Sequence, residues 1–185
     1  MPEQPAGPEG PAAPEGQAGS VAGVLRGALV ATAAFTAMEP VAYAAHRWVM
    51  HGPGRALHDS HHRPGLEGRE RLEANDLYPL VFAAATVTGM AVGAGGGRAS
   101  AGGRRSGVVL ATGAGVTAYG LAYAFVHDVY IHRRFGSVPT VPVLERLRRA
   151  HACHHRDGGE PYGMLFPVGG RLRAWDEDGS VVAPD

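Results

Sequence analysis

Histidine is concentrated in four short boxes of this chain, two in each half. Ten histidines are present in 185 residues. Each half carries one box with the spacing H-x4-H and then one with the spacing H-x2-H-H: His46 and His51, then His58, His61 and His62; His127 and His132, then His151, His154 and His155. A repeated spacing that includes every histidine indicates a shared chemical task.

Metal binding is the chemistry that this pattern predicts, because neutral imidazole is the commonest nitrogen ligand of first-row metals. Helix positions i, i+3 and i+4 share one face, so each H-x2-H-H box is expected to direct its three rings at one metal. The two rings of an H-x4-H box stand about 140° apart on an ideal helix. They converge only if the metal lies between helices or if a helix end unwinds.

Two metal ions are predicted, since ten ligands are more than one ion takes. The alternative is that the histidines only cap helix ends, and the duplicated spacing disfavours it. Cys153 is the single cysteine, and we interpret it as a small spacer in a reducing compartment, with a place beside the metal as the alternative. A site of histidines without cysteine pairs suits iron or zinc, and no H-E-x-x-H zinc-protease motif is present. With two irons, the natural task is activation of O2 near an apolar substrate.

Three apolar segments must position these boxes: residues 21–45, 77–97 and 107–131. Each is about 20 to 25 residues long, enough to cross a hydrocarbon core of about 30 Å. If all three cross, the four boxes fall on one side of the membrane. The sequence therefore predicts an all-α integral membrane helical bundle with three to four transmembrane helices and a histidine-rich metal-binding cap. The excess of arginine on the histidine side makes that side cytoplasmic by the positive-inside rule.

The chain is interpreted as one membrane domain, residues 20–167, between two tails. Residues 1–19 are rich in Pro, Gly, Ala and Glu and are expected to be disordered, and residues 168–185 form a C-terminal tail. Residues 163–167 are a candidate flap on the membrane surface. The formal net charge of zero gives no electrostatic case for nucleic-acid binding.

Other polar residues near the boxes are candidates for holding the imidazoles or the substrate. The carboxylates that can hydrogen-bond a ligating histidine are Glu39, Asp59, Asp76 and Asp128. For Glu39, an interfacial carboxylate with access to water is an equal alternative; for Asp59 and Asp76, a helix cap or a solvated carboxylate is an alternative. A face with Tyr119, Tyr123 and Tyr130 is a candidate substrate slot, with plain helix packing as its alternative.

The residues around the histidines resemble a known group, the bacterial β-carotene 3-hydroxylases within the membrane-bound fatty acid hydroxylase superfamily. The resemblance covers residues 35–167, including H-R-W-V-M-H-G at 46–52 and L-H-D-S-H-H-R-P at 57–64. Further matching segments are residues 38–39, 73–78, 117–123, 125–128, 149–155 and 163–166. The chain departs from the family pattern at Val129, Arg133 and Cys153, and none of these departures removes a histidine.

The resemblance implies a non-haem di-iron monooxygenase of the inner cell membrane that uses O2 and a ferredoxin-type electron donor. It would hydroxylate C3 of the β-ionone rings of a carotenoid, converting β-carotene through β-cryptoxanthin to zeaxanthin, with all ten histidines as iron ligands. The alternatives are a hydroxylase or desaturase of another lipid, a haem-binding or metal-binding electron carrier, and a metal transporter. The H-x2-H-H groups lie outside the spans, which argues against the haem carrier, and the few polar residues in the spans argue against the transporter.

Overall fold

Helices make up the ordered structure in the residues that the computed structural model describes, 15–62, 72–95 and 100–166. The α-helices are α1 (Glu15–Ala44), α2 (Arg55–His58), α3 (Leu77–Gly95), α4 (Ser100–Ala124) and α5 (Pro142–Asp157). A π-helical turn follows α1 at Ala45–Met50, and another follows α4 at Phe125–Ile131; a 3-10 turn, Ala74–Asp76, precedes α3. The predicted all-α class is confirmed.

Three helical stretches in the described part of the chain are long and apolar enough to cross a membrane: Val21–Met50, Ala74–Gly93 and Gly107–Ile131. They correspond to the three apolar segments of the sequence. Their outer surfaces expose large apolar side chains such as Leu29, Val92 and Leu121, which suits contact with lipid. The first and third stretches end at histidine boxes and the second begins shortly after one, so all four boxes lie at the same end of the bundle.

The helix α4 lies at the centre and packs against both α1 and α3. Small residues permit this close approach, as expected for helices in a membrane. A Cβ atom added to Gly115 would collide with the backbone carbonyl of Ala31 in α1, and one added to Gly113 would collide with Met90 in α3. The spans α1 and α3 are therefore joined mainly through α4, and a groove is left between them.

Replacing Gly115 with leucine is expected to lower thermal stability, because the new side chain must push α1 away from α4. Overpacking of this kind costs about 1–3 kcal/mol. Gly89→Leu is the matched control, since nothing lies within 4 Å of a Cβ at Gly89. Thermal denaturation of both variants in detergent measures the difference. Equal melting temperatures would contradict the close α1–α4 contact.

The N-terminal boundary differs from the expectation. The helix α1 begins at Glu15, so residues 15–19 are helical rather than disordered. Glu, Gln and Ala are good helix formers, and extending an existing helix costs far less than starting one. The expectations for residues 1–14 and for the C-terminal tail from residue 168 lie outside the described residues.

Candidate metal centre

The two π-helical turns bring the H-x4-H boxes to the site. The amide of His51 donates to the carbonyl of His46 over 3.0 Å, and that of His132 donates to His127 over 2.9 Å. These i→i+5 hydrogen bonds are typical of a π-turn, a feature frequent at functional sites. A wider turn places residue i+5 above residue i, so the two rings of each box point the same way. From the sequence, the two rings were expected to converge only between helices or if a helix end unwinds, and in the structure a π-turn does this.

Nine of the ten histidines gather into two groups. Within each group, every histidine offers one ring nitrogen, and these nitrogens lie within 4.8 Å of one another. The first histidine group contains His46, His51, His58, His62 and His154. The second histidine group contains His61, His132, His151 and His155. The tenth, His127, adjoins the second group, since its Nε2 lies 2.9 Å from Nε2 of His61. Two groups agree with the prediction of two metals.

The prediction that each H-x2-H-H box serves a single metal is wrong in this geometry. His58 and His62 belong to the first histidine group, but His61 points into the second. In the other half, His151 and His155 belong to the second group, and His154 points into the first. Consecutive residues of a helical turn differ by about 100° in direction, which is why neighbours in one box face different groups. The two halves thus exchange one histidine each.

The spacing of the nitrogens suits metal coordination. Nε2 of His58 lies 3.1 Å from Nε2 of His46 and 3.0 Å from that of His62. In the second group, Nε2 of His132 lies 3.0 Å from Nε2 of His151. Two ligands at right angles, each about 2.1 Å from a metal, are about 3.0 Å apart. These pairs therefore have the separation of neighbouring positions around one ion.

The tautomers of these rings also call for a cation between them. Nδ1 of His46 lies 2.9 Å from the carbonyl of Tyr162, and Nδ1 of His58 lies 2.7 Å from Oδ1 of Asn75. Both partners only accept, so each neutral ring carries its proton on Nδ1 and a lone pair on Nε2. Two lone pairs that face each other across 3.1 Å repel. A metal ion bound by both nitrogens removes this repulsion.

The same arrangement occurs at the second histidine group. Nδ1 of His61 lies 2.9 Å from Oε2 of Glu73, and Nδ1 of His127 lies 2.8 Å from Oδ1 of Asp128. The Nε2 atoms of these two histidines are left facing each other at 2.9 Å. In the described part of the chain, neither buried ring nitrogen of His155 has a hydrogen-bond partner. Buried polar atoms are normally satisfied, so these observations fit a metal-binding role.

Burial keeps the rings in the neutral form that binds metals. Loss of solvation lowers the pKa of His62 and that of His132 to about 3, and the pKa of His51 to about 4. Repulsion from neighbouring imidazolium charges lowers them further. The pKa of His151 lies well below its ordinary value for the same reasons. At neutral pH the site therefore offers lone pairs rather than positive charges.

Five of the histidines are held by an acceptor on Nδ1. The acceptors are Glu73 for His61, Asn75 for His58, Asp128 for His127, and the carbonyls of Tyr162 for His46 and of Gly159 for His154. Such partners fix the ring orientation of a metal ligand and raise its basicity. The contact of Asp128 agrees with its predicted role. Glu73 and Asn75 were not among the predicted partners of the imidazoles. The sequence feature that could have identified them is their position just before the second span, in a segment that matches the family pattern.

Three predicted carboxylate partners make other contacts. Glu39 accepts hydrogen bonds from Tyr119 and from the amides of Met164 and Leu165 rather than from an imidazole. Asp59 forms an exposed pair with Arg55, 3.1 Å away, because its side chain points to solvent from α2. Asp76 binds the guanidinium of Arg134 through both oxygens, at 2.8 and 2.7 Å. None of the three contacts an imidazole directly. Asp59 is the exposed carboxylate and Asp76 the cap that the sequence offered as alternatives, whereas Glu39 is buried and contacts neither an imidazole nor open solvent.

Arg134 connects the carboxylates that orient histidines of the second histidine group and its neighbour His127. Its guanidinium binds Asp76 and also lies 3.2 Å from Oδ1 of Asp128, the acceptor for His127. Asp76 in turn accepts the backbone amide of Glu73, the acceptor for His61. Arg134 therefore lies between the two carboxylates that orient His61 and His127. Its side chain is only 6% exposed, and buried charge pairs of this kind are costly to break.

A largely apolar cavity of about 420 Å³ leads from the histidines into the groove between α1 and α3. Residues of α1 and its π-turn, of α3 and of α4 line it: Met38, Ala42 and Ala45; Leu80, Ala83, Thr86 and Val87; Val116, Thr117, Gly120, Leu121 and Tyr123. Its histidine end is formed by His46, His58 and His127. Leu80, Val87 and Leu121 are also exposed on the outer surface, so the cavity opens towards the lipid.

Two of the three tyrosines proposed for a substrate slot line this cavity. Tyr119 is buried and donates to Glu39, and the ring of Tyr123 stacks on His127 with centroids 5.4 Å apart. Tyr130 does not line the cavity. Its hydroxyl donates to the carbonyl of Val141 and accepts from that residue's amide, at 3.1 and 2.9 Å. It anchors the start of α5, and its assignment to the slot is wrong.

The fatty acid hydroxylase family model matches residues 31–174, and the chain belongs to this family. It is 37% identical over 145 residues to the beta-carotene hydroxylase of Pantoea ananas, covering 75% of this chain and 76% of that protein. It is 37% identical over 141 residues to the beta-carotene hydroxylase of Paracoccus sp. (strain PC1), covering 75% of this chain and 80% of that protein.

A plant relative is also similar. The chain is 40% identical over 133 residues to the chloroplastic beta-carotene 3-hydroxylase of an Oncidium hybrid cultivar, covering 70% of this chain and 41% of that protein. The chain therefore spans less than half of that plant protein. No solved structure matches the chain.

Proposed function

We propose that the chain is a carotenoid hydroxylase that adds a hydroxyl group at C3 of β-ionone rings, converting β-carotene through β-cryptoxanthin to zeaxanthin. The observation that carries this proposal is the apolar cavity, which opens to lipid at one end and ends at His46, His58 and His127 at the other. A substrate dissolved in the bilayer can enter such a cavity with one end group first. The names of the bacterial and plant relatives support carotenoid as the substrate class.

The histidines suit a non-haem di-iron centre, with all ten as ligands. Two features fit metal ions: the lone pairs that face each other, and the nitrogens of His155, which have no hydrogen-bond partner among the described residues. Two bound irons would supply the activation of O2 with two electrons from a ferredoxin-type donor. The balance is one C–H bond, O2, two electrons and two protons converted to one C–OH group and one water.

The chain's own residues would position the ring and exclude water. The lining residues of α1, α3 and α4 offer apolar contacts around the end group, and Gly120 leaves room beside it, since nothing lies within 4 Å of a Cβ there. Tyr123 packs on His127 and fixes the wall between the cavity and the second histidine group. Asn75 and Asp128 orient His58 and His127, which line the cavity, and Glu73 orients His61 next to His127.

We place the domain, residues 20–167, in the inner cell membrane as a multi-pass protein with the site on the cytoplasmic side. Arginines around the histidine boxes support this orientation by the positive-inside rule, among them Arg47, Arg55 and Arg134. A cytoplasmic face also gives a soluble electron donor direct access to the site.

Pigment analysis in a bacterial host that makes β-carotene tests the proposal. Chromatography with mass detection is expected to show products with one and two added oxygens, which match β-cryptoxanthin and zeaxanthin. His61→Ala, at equal protein level in the membrane, is expected to abolish both products. Unchanged β-carotene beside an iron-loaded protein would contradict the substrate assignment and would favour the hydroxylation of another lipid, such as a fatty acid or a sterol.

A further inference from the structure

Glu39 is a buried carboxylate within the first span that does not contact the histidines. It is 2% exposed and receives three hydrogen bonds. Tyr119 of α4 donates to it over 2.6 Å, and the backbone amides of Met164 and Leu165 donate over 2.7 and 3.1 Å. A buried carboxylate is costly unless it is satisfied. Here two of its three donors belong to a segment about 125 residues further along the chain.

That segment, residues 159–165, is called the strap below. It follows the end of α5 and returns to the C-terminal part of α1, where Glu39 lies. The inner part is buried, since Met164 is 2% exposed, whereas Phe166 just beyond the strap is 61% exposed. The expected flap is thus packed into the protein at Met164 and exposed at Phe166, and its last residue, Pro167, lies outside the described residues. The ring of Tyr162 lies against the first histidine group, with centroids 5.4, 5.2 and 5.1 Å from those of His46, His51 and His154.

The strap also supplies two of the acceptors that orient the first histidine group. The carbonyl of Tyr162 lies 2.9 Å from Nδ1 of His46, and that of Gly159 lies 2.6 Å from Nδ1 of His154. These two rings come from opposite halves of the chain. By contrast, the described acceptors for His61 and His127, at the second group, are side chains outside the strap.

We propose that Glu39 is a positioning residue that fastens the strap across the first histidine group, and that the strap holds His46 and His154 in their metal-binding orientation. The inference uses the proposed function only in taking this group as a metal site. By this proposal, a carboxylate in the first span controls one of the two metal sites although it contacts none of the metal ligands.

A second clamp holds the outer end of the strap. Glu160 accepts from Arg47 over 2.9 Å and from Tyr43 over 2.7 Å. The side chains of Arg47 and Glu160 are 45% and 33% exposed, and ion pairs at the surface contribute little. The buried clamp at Glu39 is therefore the one that decides whether the strap stays in place.

Hydrogen–deuterium exchange of the full, metal-free chain in detergent tests the first step. In Glu39→Ala, the amides of Met164 and Leu165 lose their acceptor and are expected to exchange about 10- to 100-fold faster, while peptides from α4 and α5 keep the parent rate. Arg47→Gln, at the other clamp, is the matched control and is expected to leave both amides protected. Parent-like protection of these amides in Glu39→Ala would overturn the proposal.

Titration with Co²⁺ against a chromophoric chelator tests the second step. One of the two sites in Glu39→Ala is expected to bind about 10- to 100-fold more weakly, the usual effect of losing a group that orients a ligand, while the other keeps its affinity. If the strap amides exchange faster but both sites keep their affinity for Co²⁺, the proposal is overturned. It is also overturned if both sites weaken equally while the α4 and α5 peptides keep the parent exchange rate.

The isosteric Glu39→Gln decides the matter if Glu39→Ala loses protection throughout the chain. It keeps one acceptor oxygen and places an amide NH₂ group against the other donor, so faster exchange at residues 164–165 alone is expected. No local change there would overturn the proposal. Both readouts use no carotenoid, so a failure of the substrate assignment in the pigment assay would leave them intact.

Discussion

Replacing His61 and His151 together with alanine is expected to abolish hydroxylation and to leave one tightly bound metal ion per chain. Both residues belong to the second histidine group although they come from different boxes. Their removal leaves the five nitrogens of the first group in place. Elemental analysis of the purified variant, together with Co²⁺ titration, measures the number of ions that remain.

The informative comparison is the pair His61→Ala and His62→Ala, which removes two neighbours from one box. His61 and His62 face different groups, so this pair is expected to weaken both sites and to leave less than one tightly bound ion. If each box served one metal, the two double variants would behave in the opposite way. That reversed result would contradict the exchange of histidines between the halves.

Replacing Gly120 with phenylalanine is expected to reduce hydroxylation by about 100-fold or more while both metal sites keep their affinity. Gly120 lines the cavity and has open space beside it, so the ring would fit into the protein and occupy the place proposed for the substrate. A misplacement of about 1 Å in a reacting group can itself cost about 100-fold. Product yield in the pigment-producing host and Co²⁺ titration of the purified protein measure the two effects.

Gly107→Phe is the matched control, because Gly107 belongs to the same helix, lies outside the cavity lining and also has nothing within 4 Å of a Cβ. It is expected to retain activity. A Gly120→Phe variant with parent activity would show that the substrate does not use this cavity. Equal loss in both variants would point to a general effect of a bulky side chain on α4.

The sequence by itself determined which residues can bind metals and that they lie together at one end of the helical bundle. Ten histidines in a duplicated spacing identify the candidate ligands, because residue type decides metal chemistry. Three apolar segments of spanning length place all four boxes at one end, because hydrocarbon thickness decides how the chain can cross. Both conclusions depend on local properties of the chain, and the structure retains both.

The tertiary structure decided how those ligands are shared and held. A π-turn depends on one displaced hydrogen bond, so the spacing of His46 and His51 did not distinguish it from an unwound helix end. His61 and His62 point in directions about 100° apart because they are consecutive residues of a helical turn. Their spacing in the sequence does not tell which histidine group each ring faces. Met164, which donates to Glu39, and Tyr162, whose carbonyl faces His46, lie more than 100 residues away from them in sequence. Only folding brings such groups within hydrogen-bond distance.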